Sequence, residues 1–503
     1  MARAPHRAEF IKTKRGGLLL CHEGFQYHRT GRRADTIYWI CSKRPECSAR
    51  AITKGPPPDD ARVTKAGDHI HAPNREETAA RAVVNDMKDV AARHPEMPPA
   101  NIIREGLADV DDEVLSQLPQ RVSLKRAINR KRQADLPRNP IALGDIRELP
   151  EEYQKTLGGE QFLLYDSRDY RDGSESGSES GLEDEPPRVM VFATKEALRK
   201  LGKSDIWFVD GTFKVSPVLF VQVFTIHGLY KNEALPLVFA LLTGKAEPLY
   251  IEVLQALKDK AAEFHVPFPE PTTIVSDFEL AIINACRKVL PHAILRLCFF
   301  HLGQSVYRKV QNLGLAVLYN DPADRQYKVA VHQLLSLAFV PAEDVKDVFA
   351  ELRPELPRQL RTLADYFEET YVGERPRRLR GNRQPRPKPP RYAVEDWNQH
   401  NAALQDEPRT NNTTEGWHNR FQGMVGKSHP SFYHLLREFR KEEKDTEVMM
   451  RELQMGRRIK APRRTKYIAV NKRLQGAAMD YQEYKEEGRV LEYLTRCGNN
   501  FSL

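Results

Sequence analysis

The stretch "IWFVDGTFKVSPVLFVQVFTIHG", residues 206 to 228, constrains the fold more than any other part of the chain. An apolar run ends in a single carboxylate, Asp210, and a second apolar run follows the Gly-Thr turn. "DIWFVDGTF", "VLFVQVFTIHGL" and "EALPLVFALLTG" read as three successive strands, each rich in Val, Leu, Phe and Ile and bounded by Gly, Pro or Asn, which predicts a meander. Helical spacing then appears in "LYIEVLQALKDKAAEFH". After it, "TTIVSDFELAIINACRKVLP" reads as a strand ending in Asp277 and running into a helix, and "AILRLCFFHLGQSVYRKV" as a strand leading into another.

Strand, strand, strand, helix, strand, helix, strand is the order of the ribonuclease H-like fold. In such a sheet the first and fourth strands are neighbours, so Asp210 and Asp277 are expected to converge. Converging carboxylates suit a hard, oxygen-preferring cation such as Mg²⁺ or Mn²⁺, and a pair of such ions can clamp both oxygens of an in-line phosphoryl transfer. "RTNNTTEGWHNRFQGMVG" supplies a third acid, Glu415, at a helix start with Thr or Asn expected to cap before it. Glu395 and Asp396 in "YAVEDWNQHN" have no such mark. Any one of these acids alone reads as a cap or a solvated strand end; the set of three points to a site.

Over roughly residues 200 to 440 the chain resembles the Mutator-like (MULE) family of DDE transposases. The matching pieces are "DGTF" with Asp210, "SDFELAIINA" with Asp277, "CFFH" with Cys298 and His301, and "NNTTEGWHNRF" with Glu415. The resemblance implies a catalytic core interrupted by a helical insertion before the third acid, cutting and joining DNA at transposon ends by metal-assisted transesterification. Residues 302 to 408 carry helical patterns that agree with such an insertion, and within it "ERPRRLRGNRQPRPKPPR", 374 to 391, is an extended basic loop. Its Arg377, Arg378 and Arg380, beside Pro376, are expected to neutralise phosphates, as is the basic stretch 456 to 473. A Cys-x-x-His at a strand-to-helix junction could contribute to a zinc site, but Cys298 and His301 have no obvious second pair. The family has this pair near its active site, which implies structural support or positioning of the DNA end. His418, one helical turn past Glu415, could face the metals or a phosphate, or be a plain surface histidine.

The N-terminal segment has a different chemistry. "YWICSKRPECSARAITKG" and "DHIHAP" offer Cys41, Cys47, His69 and His71, a donor set that suits tetrahedral Zn²⁺; read without other help, the cysteines could equally be core thiols and the histidines surface residues. Across roughly residues 15 to 75 the segment resembles a FLYWCH-type zinc finger, with Phe25, Tyr27, Tyr38 and Trp39 in place, and the resemblance implies zinc on those four residues. Cys21 lies outside the pattern and reads as buried filler. The family is linked with DNA and with protein contacts.

At 503 residues the chain calls for two to four domains. The expected order is the finger (1–75), a helical basic connector (76–165), an acidic disordered linker (166–188), the core (189–440, insertion about 302–408) and a basic helical C-terminal region (441–503). The fold class expected is α/β, a ribonuclease H-like core with an all-helical insertion behind a small zinc-binding β-rich module. The connector's "LKRAINRKR" reads as a solvated face, a phosphate-contacting patch or a nuclear localisation signal. Lys and Arg exceed Asp and Glu, 78 against 69, which favours a polyanionic partner. Double-stranded DNA, as transposon ends and target, is the expected partner, with a homo-oligomer left open. No apolar run is long enough to span a membrane and the start lacks a signal-peptide core, so an intracellular and, with DNA as substrate, nuclear protein is expected. Two rival readings stand beside the transposase: a captured DNA-binding or regulatory protein that no longer cuts, and a ribonuclease or other nuclease on the same core.

Overall fold

The computed structural model describes residues 8–13, 17–57, 60–94, 97–134, 136–171, 186–373, 388–459 and 465–501. The chain divides between Arg138 and Asn139 into two units.

In the first unit, β1 (Glu9–Lys12), β2 (Leu18–His22), β3 (Phe25–Arg33), β4 (Thr36–Cys41), β5 (Arg50–Lys54) and β6 (Arg62–Ala66) form an antiparallel sheet in sequence order. Period-two alternation sets its inner face. In β4, Ile37, Trp39 and Cys41 are buried while Tyr38 turns outward. Leu20, Tyr27, Ile37, Trp39, Ala51 and Val63 make one small core. Asn74 then caps α1 (Arg75–Arg93) by accepting from the Glu77 amide at 2.8 Å. This helix packs with α2 (Pro99–Gly106) and, past the short α3 (Asp112–Gln117), with α4 (Arg121–Gln133) through Met87, Ala91, Ile102, Ile103, Leu124 and Ile128. It also grips the sheet: Gln26 Nε2 donates to Thr78 Oγ1 at 3.0 Å and Asn85 Nδ2 to the Lys12 carbonyl at 2.9 Å. The helices expected as a connector are thus part of the finger's own unit.

The second unit is built on a seven-stranded mixed sheet. Its strands are β7 (Leu163–Asp166), β8 (Val189–Phe192), β9 (Ile206–Thr212), β10 (Gln222–Tyr230), β11 (Glu233–Leu242), β12 (Thr273–Ser276) and β13 (Ile294–Leu297), in the order β13-β12-β9-β10-β11-β8-β7. The expected meander is β9-β10-β11, closed at its second turn by Lys231 and Asn232, both with positive φ, as a two-residue hairpin requires. β12 runs parallel to both β9 and β13. The two faces follow parity. Val209, Ile226 and Val238 point into the large core with Leu249, Tyr250 and Val253 of the Glu247–Glu263 helix. Asp210, Thr225, Phe239 and Phe192 lie opposite one another across four strands on the other face, where Phe239 packs against Trp417 of the Asn412–Val425 helix and Phe439 of the Phe432–Gln454 helix.

The acidic stretch does not mark the division. Residues 172–185 lie outside the described residues, but β7 and β8 on either side of them pair antiparallel. Arg188 donates Nε to Asp166 Oδ1 at 3.0 Å and Nη2 to Oδ2 at 2.5 Å, both side chains buried. Apolar residues before the acids explain the difference: Phe162 packs on Phe192 and Phe239, and Tyr153 on Tyr433, which ties residues 139–171 to the second unit.

Helices fill most of residues 299 to 372 and recur at Val394–Trp397 and His400–Leu404, and the C-terminal helices Thr465–Glu486 and Val490–Gly498 fold back on them. Tyr493 Oη donates to the Phe339 carbonyl at 2.5 Å and Tyr481 Oη to Asp344 Oδ2 at 2.9 Å.

Candidate metal and carboxylate sites

In the first unit, Cys41 ends β4, Cys47 follows a tight turn, and His69 and His71 alternate on the segment after β6. Their four ligand atoms lie within 4.8 Å of one another. Cys41 Sγ is 3.2 Å from His71 Nε2, Cys47 Sγ 3.4 Å from His69 Nδ1, and the two histidine nitrogens 3.3 Å apart. Zinc bonds of about 2.3 Å to sulfur and about 2.0 Å to nitrogen imply tetrahedral edges of about 3.3 Å between nitrogens and about 3.5 Å between nitrogen and sulfur, so the set fits. The supporting shell agrees. His69 Nε2 is 2.7 Å from Tyr27 Oη and His71 Nδ1 2.9 Å from the Ala72 carbonyl, which leaves Nδ1 of His69 and Nε2 of His71 as the metal-facing nitrogens. Phe25 stacks flat on the His69 ring at 3.7 Å. Burial and the neighbouring His71 hold the His69 pKa below its ordinary value, favouring the neutral ring a ligand needs. Cys21 is buried apart from this set, its thiol pushed up to about 12 chiefly by burial.

In the second unit, β9 and β12 pair with Thr273 opposite Ile206 and Val275 opposite Phe208. The same register carried two residues on sets Asp277 beside Asp210. Asp210 stands inside β9 rather than at its end, 6% exposed, with Oδ1 accepting from the Gly211 amide at 2.8 Å. Burial raises its pKa, His418 opposes that rise, and Asp277 adds to it. Glu415 lies in the first turn of the Asn412–Val425 helix, where Asn411 takes the cap position without a side-chain cap bond.

One histidine ring, His301, bridges Asp277 and Glu415, and a second, His418, lies against Asp210. His301 Nδ1 is 2.7 Å from Asp277 Oδ1 and its Nε2 3.2 Å from Glu415 Oε1. His418 Nδ1 is 3.2 Å from Asp210 Oδ2, and its Nε2 3.5 Å from Thr225 Oγ1. Burial works against a charged His301, but Asp277, then Cys298 and Glu415, outweigh it and push its pKa up to about 12. Cys298 is buried and accepts from the Asn411 amide at 3.2 Å, tying the end of β13 to the start of the Glu415 helix. Asp396 is engaged elsewhere, in an ion pair with Arg287 at 2.5 Å. Arg377, Arg378 and Arg380 lie outside the described residues.

One participant had not been singled out in the sequence. Glu442 of the Phe432–Gln454 helix is fully buried and accepts from Trp417 Nε1 at 2.6 Å and from Arg420, both on the helix that carries Glu415 and His418. Its spacing from Leu435 and Phe439 puts it on that helix's buried stripe, the signal that could have found it.

Comparison with known proteins fits both sites. Residues 10–71 match the FLYWCH zinc finger domain and residues 206–305 the MULE transposase domain. The second match takes in Asp210, Asp277, Cys298 and His301, and Glu415 lies beyond it. FLYWCH-type zinc finger-containing protein 1 of Mus musculus is 31% identical over 184 residues, 33% of this chain and 25% of that one. The Homo sapiens protein of the same name is 30% identical over 191 residues, 34% and 26% respectively. The chain spans about a quarter of the length of these curated relatives. Together the matches support a zinc-finger N-terminal unit joined to a transposase-related domain. Among the described residues, no helix is long and apolar enough to cross a membrane.

Proposed function

We propose that the chain is a nuclear DNA transposase that cuts and joins transposon ends by phosphoryl transfer on a ribonuclease H-like core. The observation that supports this is Asp210 in β9 with Asp277 just past the neighbouring parallel strand β12, Glu415 linked to Asp277 through His301, and His418 seated on Asp210. Three carboxylates are an oxygen-only donor set for Mg²⁺ or Mn²⁺, and the buried Asp210 with Asp277 beside it leaves negative charge that a divalent cation relieves. When bound, such ions would activate a water or a DNA 3′-hydroxyl and stabilise the leaving oxygen. The chain's own part is to hold the acids. His418 fixes one oxygen of Asp210, and Cys298 anchors the loop that delivers Glu415. His301 occupies oxygens of Asp277 and Glu415 that a cation would compete for. Basic segments, Arg377, Arg378 and Arg380 among them, would hold phosphates without reading sequence.

Asp210→Asn, Asp277→Asn and Glu415→Gln each keep shape and remove a charge. Each should abolish Mg²⁺- or Mn²⁺-dependent cleavage of the repeats flanking the coding region while duplex binding survives, and Asp396→Asn should cut nearly normally. A wild-type chain that binds those ends and cuts with neither metal is instead a transposase-derived DNA-binding or regulatory protein. Loss of activity in Asp396→Asn with activity kept in Glu415→Gln would overturn the third ligand.

A further inference from the structure

A line of buried polar contacts runs along the face of the large sheet that Asp210 does not use. Side chains alternate along β9, so Asp210 points to one face and Gly211, opposite Phe224 of β10, to the other. Gln222 starts β10 two residues before Phe224 and therefore shares Gly211's face. Its Nε2 donates to the Gly244 carbonyl at 3.2 Å and to Tyr250 Oη at 2.5 Å. Tyr250 Oη in turn donates to Glu279 Oε1 at 2.5 Å. A hydroxyl has one proton and an ionised carboxylate only accepts, so the direction of these bonds is fixed. Gln222 must present its nitrogen to Tyr250, which turns its Oε1 toward Gly211, where a Cβ would run into it. Gln222 and Tyr250 are both fully buried, and that Oε1 has no hydrogen-bond partner among the described residues.

A buried polar atom left unpaired costs stability, and an apolar side chain at position 222 would fill the same space without that cost. The two ends of the line point to a compensating role. Gly211 follows Asp210 directly, and Glu279 stands two residues past Asp277, at the cap position of the Leu280–Val289 helix. An acid at a cap ordinarily accepts from the helix's own first amides; Glu279 makes no such bond and turns to Tyr250. The Glu247–Glu263 helix, which carries Tyr250, holds the same helix a second time through Glu247 Oε2, which accepts from Asn284 Nδ2 at 3.0 Å. We propose that Gln222, Tyr250 and Glu279 form a positioning brace that sets the separation of Asp210 and Asp277, so that both carboxylates reach a divalent cation together. The brace touches no substrate and acts through the backbone at either end. Its role rests on the reading of these acids as a cation site, and it tunes the affinity of that site.

The test is Mn²⁺ binding to the zinc-loaded full chain without DNA, read as loss of the free-ion signal in electron paramagnetic resonance and counted only where Asp210→Asn abolishes it. Groups that orient metal ligands typically contribute about tenfold to hundredfold in affinity, so Tyr250→Phe should weaken this binding by about tenfold or more. Glu279→Ala should do the same, and the double variant should be no weaker than Glu279→Ala alone, since one brace breaks once. Glu279→Gln keeps the acceptor and should bind nearly as wild type does. Tyr493→Phe removes an equally buried hydroxyl, bonded to the Phe339 carbonyl, and should leave the affinity unchanged. Unchanged affinity in Tyr250→Phe, or an equal loss in Tyr493→Phe, overturns the brace, as does a wild type with no Asp210-dependent site. The transposase reading fails differently: a wild type that binds Mn²⁺ through Asp210 and never cuts refutes cleavage, while the variants still decide the brace.

Discussion

His434 shows how a neutral side chain can be specified by its neighbours alone. Its Nε2 faces the Val425 carbonyl at 3.1 Å and its Nδ1 faces Arg437 Nη2 at 3.1 Å, so one nitrogen donates and the other accepts; an imidazolium could not accept. Burial, with the nearby cations Arg437, Lys427 and Lys441, pushes its pKa down to about 4. Because that lies below the ordinary value of about 6.5, the unfolded chain takes up the proton first. The stabilising effect is therefore complete above pH of about 6.5 and is lost as pH falls toward 4. His434→Gln can make both bonds and cannot titrate, so between pH 6.5 and 5 it should lose about 2 kcal/mol less stability than wild type. Urea unfolding at the two pH values checks this; parallel losses would refute it. Single residues were partly legible in the sequence. Asp210, Asp277 and Glu415 stand out in the sequence because an apolar run precedes each of the two aspartates and a helical pattern follows Glu415, although Asp210 lies inside β9 and not at its end. The contact of His418 with Thr225, 193 positions away, has no local signature and needed the folded sheet to appear.

At the scale of elements, the helix Asn412–Val425 is held from behind by one buried carboxylate. Trp417 and Arg420 reach back to Glu442 while Glu415 and His418 face the strand ends, so the helix is clamped between its two functions. Glu442→Ala would leave the Trp417 N–H buried without an acceptor, at a cost of about 1–3 kcal/mol, and free the helix to rotate. Cleavage should fall much further than duplex affinity, and Glu442→Gln, which keeps an acceptor, should recover most of it. Parallel cleavage and binding titrations decide the matter; equal losses in both would count against the clamp. Strand and helix order was legible because apolar period and turn residues repeat along the chain. Boundaries were less so: β10 begins at Gln222 rather than Val218, because Ser216 Oγ donates to the Phe220 carbonyl at 2.8 Å and holds the intervening residues in a turn. β7 and β8, four residues each, are too short to show a period.

For the whole molecule, two units with separate cores should unfold separately. The core around Tyr27, Ile37 and Trp39 is small, and the Cys41, Cys47, His69, His71 set supplies what it lacks. Removing zinc with a chelator should abolish the first unit's calorimetric transition and leave the second unit's in place. A single transition that moves as one would contradict this division. Composition misplaced that boundary, since a run of Ser, Gly and acids looks like a joint between domains whether or not paired strands flank it.

That run also has a mechanical meaning. Its two ends are already fastened, by the pairing of β7 with β8 and by the two-pronged Arg188–Asp166 bridge, so the peptide between them closes a loop rather than spanning a gap. Doubling such a loop costs only about 0.6 kcal/mol in closure entropy. A chain severed within 172–185 should then elute as one particle under native conditions and as two pieces in denaturant; separation of the pieces without denaturant would show that the fastening fails. Evolution can therefore lengthen, shorten or modify that segment without renegotiating the sheet, so new sequence there is cheap to carry.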